Sequence, residues 1–355
     1  MLSTHAKPTK TTLTIADLNC SGSEVHASET TQAPIPAPTQ APMQAAIQAP
    51  KAVVMVRPHQ FKPNPQTAND NTFQVNDKIT LSQQQIAKQA FDEVSQVANK
   101  LSTLGVKVHL FEDKMSNTPD AVFPNNWFST HSDGHFYLYP MYAENRRLEK
   151  RHDIIEHLIA NYQVDQLTDL SCWEQKQQFL EGTGVLVIDH LNHLVYVTRS
   201  KRADEAPLMD FCHQQNLSPV FFNATDRQGK AVYHTNVLMC VTTGFVIIAD
   251  EMIRDNKERE QVLKFIHNSG KTHISLSEIQ INQFAGNMLE LSGSEGRFIA
   301  MSTTAYRSLS KQQIAILSEK ARIETFDIPT VEMAGGSIRC MLAGIHLTPS
   351  KKLHT

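Results

Sequence analysis

Cys340 lies in a run whose residue types suit nucleophilic chemistry, Gly335-Gly336-Ser337-Ile338-Arg339-Cys340-Met341. Two glycines permit a tight turn and a close backbone approach. The cationic Arg339 beside the thiol favours the thiolate, which is the nucleophile. A lone cysteine is also a common small core residue, so the reading needs partners. Two upstream stretches offer them, Glu181-Gly182-Thr183-Gly184 and Tyr233-His234-Thr235-Asn236. A carboxylate, a histidine and a cysteine, each at the edge of an apolar run, make an orienter, a base and a nucleophile.

Such residues, far apart in sequence, need a repetitive scaffold to meet. Ala52–Arg57 reads as a strand, Ser82–Leu104 as an amphipathic helix with Ile86, Ala90, Val94, Val97 and Leu101 on one face, and Val106–Phe111 as a strand. A unit of strand, hairpin, strand, helix and strand follows: Ala121–Ser129, a turn at Ser132-Asp133-Gly134, His135–Pro140, a helix around Arg147–Asn161, and Val164–Leu167. The order returns three times, with inner strands expected at Val185–Asp189, Val237–Val241 and Asn287–Leu291 and helices near 201–215, 256–268 and 310–320. Ser337–Leu347 can pair with the first strand and close a ring, with a period of roughly fifty residues. Asn125 and Asn126, Glu181, His234, Asn287 and Cys340 all fall at the starts of these units. A ring would bring them to one central pore.

Composition narrows the classes. The chain has 355 residues, 41% hydrophobic and 19% charged, with a formal net charge of -3. That supports a large core and argues against nucleic acid as a partner. The five cysteines are scattered and contain no C-x-x-C pair, which argues for a reducing compartment and against a cysteine metal site. His131 with His135, and His190 with His193, have ligand-like spacing but sit in turn-forming sequence, so they read as surface turns and no metal is expected. No apolar run reaches a membrane span, no signal-peptide core is seen, and the cytoplasm is the expected location. Residues 1–50 hold six of the sixteen prolines and no Phe, Trp or Tyr, so a disordered tail is expected there and one folded domain over 51–355.

Met55-Val56-Arg57-Pro58-His59, Asp120-Ala121-Val122-Phe123-Pro124-Asn125-Asn126-Trp127, Glu181–Gly184, His234-Thr235-Asn236 and the Cys340 run together resemble the amidinotransferase or pentein superfamily. Within it they are most similar to the citrulline-utilisation hydrolases, relatives of the arginine deiminases. The resemblance covers about residues 52–348. It implies a five-bladed α/β propeller, no cofactor, a small amino-acid substrate, and hydrolysis at a guanidino or ureido carbon. It makes Cys340 the nucleophile, His234 the general acid/base and Glu181 its orienter. Asn126 and Asn236 fall where arginine deiminases carry aspartates.

A guanidinium has only donors and suits carboxylates. A ureido group is neutral, with a carbonyl acceptor and amide donors, and an asparagine amide complements it. The two asparagines therefore point to citrulline, or to an arginine dihydrolase that also processes citrulline. An arginine deiminase, an amidinotransferase with an amine acceptor, and a non-catalytic amino-acid binder are the alternatives. Arg57 and Arg339 are candidates for the substrate carboxylate. Asp120, with Asn69 and Asp70, is placed near the pore mouth, Asn125 is a further candidate for substrate binding, and a homo-oligomer stays open.

Overall fold

The computed structural model describes residues 47–74 and 81–350. Among the described residues, fifteen strands form five three-stranded sheets. In each, a short inner strand pairs antiparallel with a middle strand, and the middle strand pairs in parallel with an outer one. The first sheet holds β1 (Ala52–Pro58) and β2 (Lys107–Asp113), with β15 (Ala343–Ile345) as its inner strand. The closing segment therefore pairs with the first strand, as expected. The second contains β3 (Phe128–Thr130), β4 (His135–Leu138) and β5 (Gln166–Asp169), and the third β6 (Val187–Asp189), β7 (Leu194–Thr198) and β8 (Ser218–Phe222). The fourth contains β9 (Met239–Val241), β10 (Phe245–Ile248) and β11 (Thr272–Ser275), and the fifth β12 (Leu289–Gly293), β13 (Gly296–Ser302) and β14 (Arg322–Phe326).

One long helix joins the middle strand to the outer strand of every sheet, because a parallel connection needs a crossover. These are α1 (Gln83–Thr103), α2 (His152–Asn161), α3 (Glu205–Gln215), α4 (Asn256–Asn268) and α5 (Lys311–Lys320). Helix α1 buries the expected stripe and starts at a capping box, in which Ser82 and Gln85 each satisfy the other's backbone N–H. Inner strands of neighbouring sheets lie side by side, β15 by β3 and β6 by β9, around the axis of a five-bladed α/β propeller.

Two expectations need correction. The inner strands were expected to be longer. Each is only three to five residues, and a single helical turn occupies the start of four predicted runs: Pro124–Asn126, Gly182–Val185, Thr235–Leu238 and Ile338–Met341. The folded body also begins earlier than Ala52. Gln48 is buried, donates to the carbonyls of Ile188 and Val241, and accepts from the His190 N–H. The expected tail before residue 47 lies outside the described residues. Among the described residues no helix is long and apolar enough to cross a membrane.

Candidate active site

The single helical turns aim the polar residues at the axis. Glu181 is the residue before one turn and His234 the residue before another, while Asn126, Asn236 and Cys340 lie inside turns. The approach is close. A Cβ on Gly184 would stand 2.2 Å from Asn126 Nδ2 and 2.9 Å from the His234 ring, so only glycine fits there. Gly335 has φ +80, and a Cβ on it would strike the Asn71 side chain at 2.4 Å. That residue therefore sets the turn that delivers Cys340.

Glu181 and His234 are fully buried and joined by a 2.7 Å contact between Glu181 Oε2 and His234 Nε2. The other carboxylate oxygen accepts from the Tyr142 N–H at 3.0 Å. Burial pushes the Glu181 carboxyl up, but Arg202, the His234 hydrogen bond and Arg146 outweigh it and hold the group well below the usual carboxylate range. Burial pushes His234 down, against Glu181, to about 4. At neutral pH the site thus pairs a carboxylate with a neutral imidazole, a state able to accept a proton.

Cys340 is 2% exposed. Its Sγ receives Nδ2 of Asn287 at 3.2 Å and Nδ2 of Asn236 at 3.5 Å. Asn287 also donates to the Asn236 carbonyl and accepts from the Arg339 N–H, so one amide fixes both flanks of the sulfur. Tyr233, beside His234, donates its hydroxyl to the Gly335 carbonyl at 2.6 Å. The histidine and cysteine segments are thereby tied together.

Two arginines complete the polar cluster. Arg202 makes a two-pronged contact with Asp70 at 2.8 and 2.9 Å, reaches Glu181 at 3.3 Å, and stacks 4.7 Å over Tyr233. Arg146 grips Glu149, lies 3.8 Å from Glu181, and donates to Asn126 Oδ1 at 2.8 Å. Burial opposes both charges, but Glu149, Asp120 and Glu181 around one, and Glu181 and Asp70 around the other, more than offset it. Asn126 Nδ2 and Asp120 Oδ1 are buried without a hydrogen-bond partner among the described residues. Asp120 Oδ2 accepts from Asn64 at 2.7 Å, and burial pushes this carboxyl up.

Asn236 and Asn287 hold the Cys340 sulfur, while His234, Glu181, Asn126 and Asp120 are joined around Arg146 and Arg202, and the Tyr233 bond to Gly335 ties both groups into one region. Asn125 adjoins it through its carbonyl, which accepts from Thr183, and both its side-chain polar atoms are unpartnered among the described residues. Arg57 does not join. Its parallel-register neighbour Glu112 pairs with it, and its guanidinium stacks on Phe91 in the outer layer. Arg339 also departs from expectation: its side chain lines a cavity on the strand side of Cys340. Sequence reasoning missed Arg146 and Arg202 and gave Asn287 no role beyond its place at the start of a unit. A signal existed, since Arg146 follows Asn126 by 20 residues and Arg202 follows Glu181 by 21, both just past a middle strand.

The chain belongs to the N,N-dimethylarginine dimethylhydrolase family, whose eukaryotic model matches residues 57–347. It is thus a pentein hydrolase of the amidino-group class. The N-terminal domain of ArgZ, a cyanobacterial arginine dihydrolase solved as a cysteine-to-serine mutant with substrate, is 15% identical. It covers 83% of this chain and 97% of its own, at a TM-score of 0.64. AgrE, solved with ornithine and NAD+, is 14% identical over 85% of this chain and 40% of its own, at 0.65. The Pseudomonas aeruginosa dimethylarginine dimethylhydrolase, a mutant complexed with citrulline, is 14% identical over 84% and 100%, at 0.57. These likenesses establish the pentein fold. No curated protein matches the chain.

Proposed function

We propose that this chain hydrolyses the ureido carbon of citrulline, giving ornithine, carbon dioxide and ammonia. The observation that carries the reading is Asn126. Arg146 holds its Oδ1, which leaves Nδ2 as a buried donor beside His234 with no partner among the described residues. A buried donor without an acceptor costs about 1–3 kcal/mol, and a ureido oxygen would supply that acceptor. A carboxylate at the same place would repel it.

The chemistry follows from the network. Cys340 gives its proton to the neutral His234, and Sγ bonds to the ureido carbon. The bond to the terminal nitrogen breaks, and the imidazolium returns the proton to the departing ammonia. A thiocarbamate remains on sulfur. His234 then takes a proton from water, whose oxygen bonds to the carbon as the C–S bond breaks and the thiol is restored. The released carbamate loses carbon dioxide. Glu181 orients His234 and stabilises its charged form, while Asn236 and Asn287 hold the sulfur.

A second reading, arginine dihydrolysis, has its own support. Asp120 Oδ1 is an unpartnered buried acceptor, which suits a guanidinium donor. ArgZ, of the same fold, is an arginine dihydrolase. Incubating the protein separately with citrulline, arginine and N,N-dimethylarginine, and quantifying ornithine, citrulline, ammonia and dimethylamine, distinguishes the readings. Ornithine from citrulline alone supports the first, and ornithine from both supports the second. Citrulline accumulating from arginine without further reaction contradicts both. Dimethylamine release with inert citrulline would assign the family's namesake reaction. Adding a free amine to each incubation tests for transfer in place of hydrolysis.

A further inference from the structure

The strand side of Cys340 holds a second polar feature that the hydrolytic scheme does not use. The inner strands run from the helical turns to an axial cavity of about 50 Å³. About 10–15 Å³ of such space holds one water, so the cavity suits an occupant of three or four heavy atoms. Its wall includes Arg339, His131, His190 and His346, and contains no aspartate or glutamate.

Arg339 is half-buried, and no carboxylate lies within ion-pair distance of it among the described residues. Its guanidinium has one hydrogen bond there, to the Leu342 carbonyl at 3.1 Å. The remaining donors have no protein acceptor among the described residues. The His190 ring likewise has no hydrogen-bond partner among them, and it packs 4.3 Å from the His346 ring. His131 is occupied by Ser129 at 2.8 Å, and contrary to expectation it is buried instead of lying on a surface turn. A buried cation without a counter-charge is costly, and donors converging on a small cavity define what would offset it.

We propose that this cavity binds a small carboxylate-type monoanion, such as formate or bicarbonate, on the Arg339 guanidinium and the His190 ring N–H. The Arg339 backbone N–H is held by Asn287, whose amide also holds the Cys340 sulfur. An anion held by the Arg339 side chain adds negative charge one residue from Cys340, which opposes formation of the reactive thiolate and slows its alkylation. The binding claim stands apart from the citrulline reading, since it needs no turnover.

The test uses the full chain, with formate as the probe and gluconate, too large for the cavity, as the control at equal ionic strength. Formate is expected to raise the unfolding midpoint saturably, as a ligand of the native state does, and to slow Cys340 alkylation at neutral pH by roughly tenfold at saturation. His190→Phe fills the cavity and retains Arg339, so it should abolish both effects, and Arg339→Met should do the same. If Arg339→Met fails to fold, His190→Phe alone decides. Equal effects of formate and gluconate, or a formate effect that survives His190→Phe, would overturn the proposal.

Discussion

On the helical-turn side of Cys340, Arg146 and Arg202 meet Glu149, Glu181 and Asp70, and the one imidazole among them is fixed by Glu181. On the strand side, Arg339 faces three histidines and no carboxylate among the described residues. Both sides are polar and both are built from the same five repeats. Glu181, His234 and Cys340 precede the inner strands and His131, His190 and His346 follow them, while Arg339, on the same helical turn as Cys340, sends its side chain to the far end. Residues before the strands sit on tight turns whose backbone can be aimed individually. Residues after them follow the strand direction into a narrow space. The first arrangement suits a fixed proton-transfer pair, and the second suits a small guest that brings its own charge.

The largest contrast should come from two cysteines that flank the divide. Cys340→Ala removes the attacking atom and should lower turnover by at least about four orders of magnitude. Cys240, on β9 at the cavity wall, should tolerate Ala with activity within a few-fold. Comparable losses in the two variants would erase the distinction. Circular dichroism of Cys340→Ala should match the parent.

His234→Ala and Glu181→Ala come next, with losses on the order of a hundredfold to ten-thousandfold for the acid/base group. The double variant should lose far less than the product of the single losses, because the pair acts as a unit. The pH profile of kcat/KM sharpens this. His234 must be unprotonated to start the reaction, and it titrates near 4, below the ordinary 6.5. Activity should therefore persist as pH falls through 6.5 and be lost only near 4. An acid limb at 6.5 would mean that the free protein does not hold His234 as described.

Asn126→Asp should lower the ratio of citrulline to arginine kcat/KM by roughly tenfold to a hundredfold. The Arg146 contact survives, while the free donor becomes an oxygen facing substrate, worth about 1.5–3 kcal/mol to a guanidinium. An unchanged ratio would remove Asn126 from substrate discrimination. The smallest functional effect should come from the strand side. Gln48→Ala breaks two buried hydrogen bonds and a part-buried one and should cost about 1–3 kcal/mol of stability in denaturant unfolding, with kcat for the hydrolysis nearly unchanged.

The ring was legible because hydrophobic runs, turn residues and helical stripes recur at a steady spacing, and Ser337–Leu347 could be assigned to close it. The start of each inner strand was not. A single helical turn followed by three strand residues, as in Thr235–Val241, carries the apolar run Val237–Val241 across its junction and reads like one strand. Cys340, His234 and Glu181 stood out by residue type. Arg146 and Arg202 did not, because arginines after a strand look like solvated loop charges, and burial is a property of the ring. Arg57 was misplaced because its partner Glu112 is defined by parallel register, which local sequence does not encode.

The central claim is that the Cys340 sulfur attacks a ureido carbon. Acid-quenching the protein with carbon-labelled citrulline during turnover, then mapping peptides by mass spectrometry, tests it most directly. A labelled adduct on the Cys340 peptide with the mass of citrulline less ammonia, absent from Cys340→Ala, is expected. Ornithine formation with an adduct on another cysteine, or with an adduct that also forms in Cys340→Ala, would contradict it.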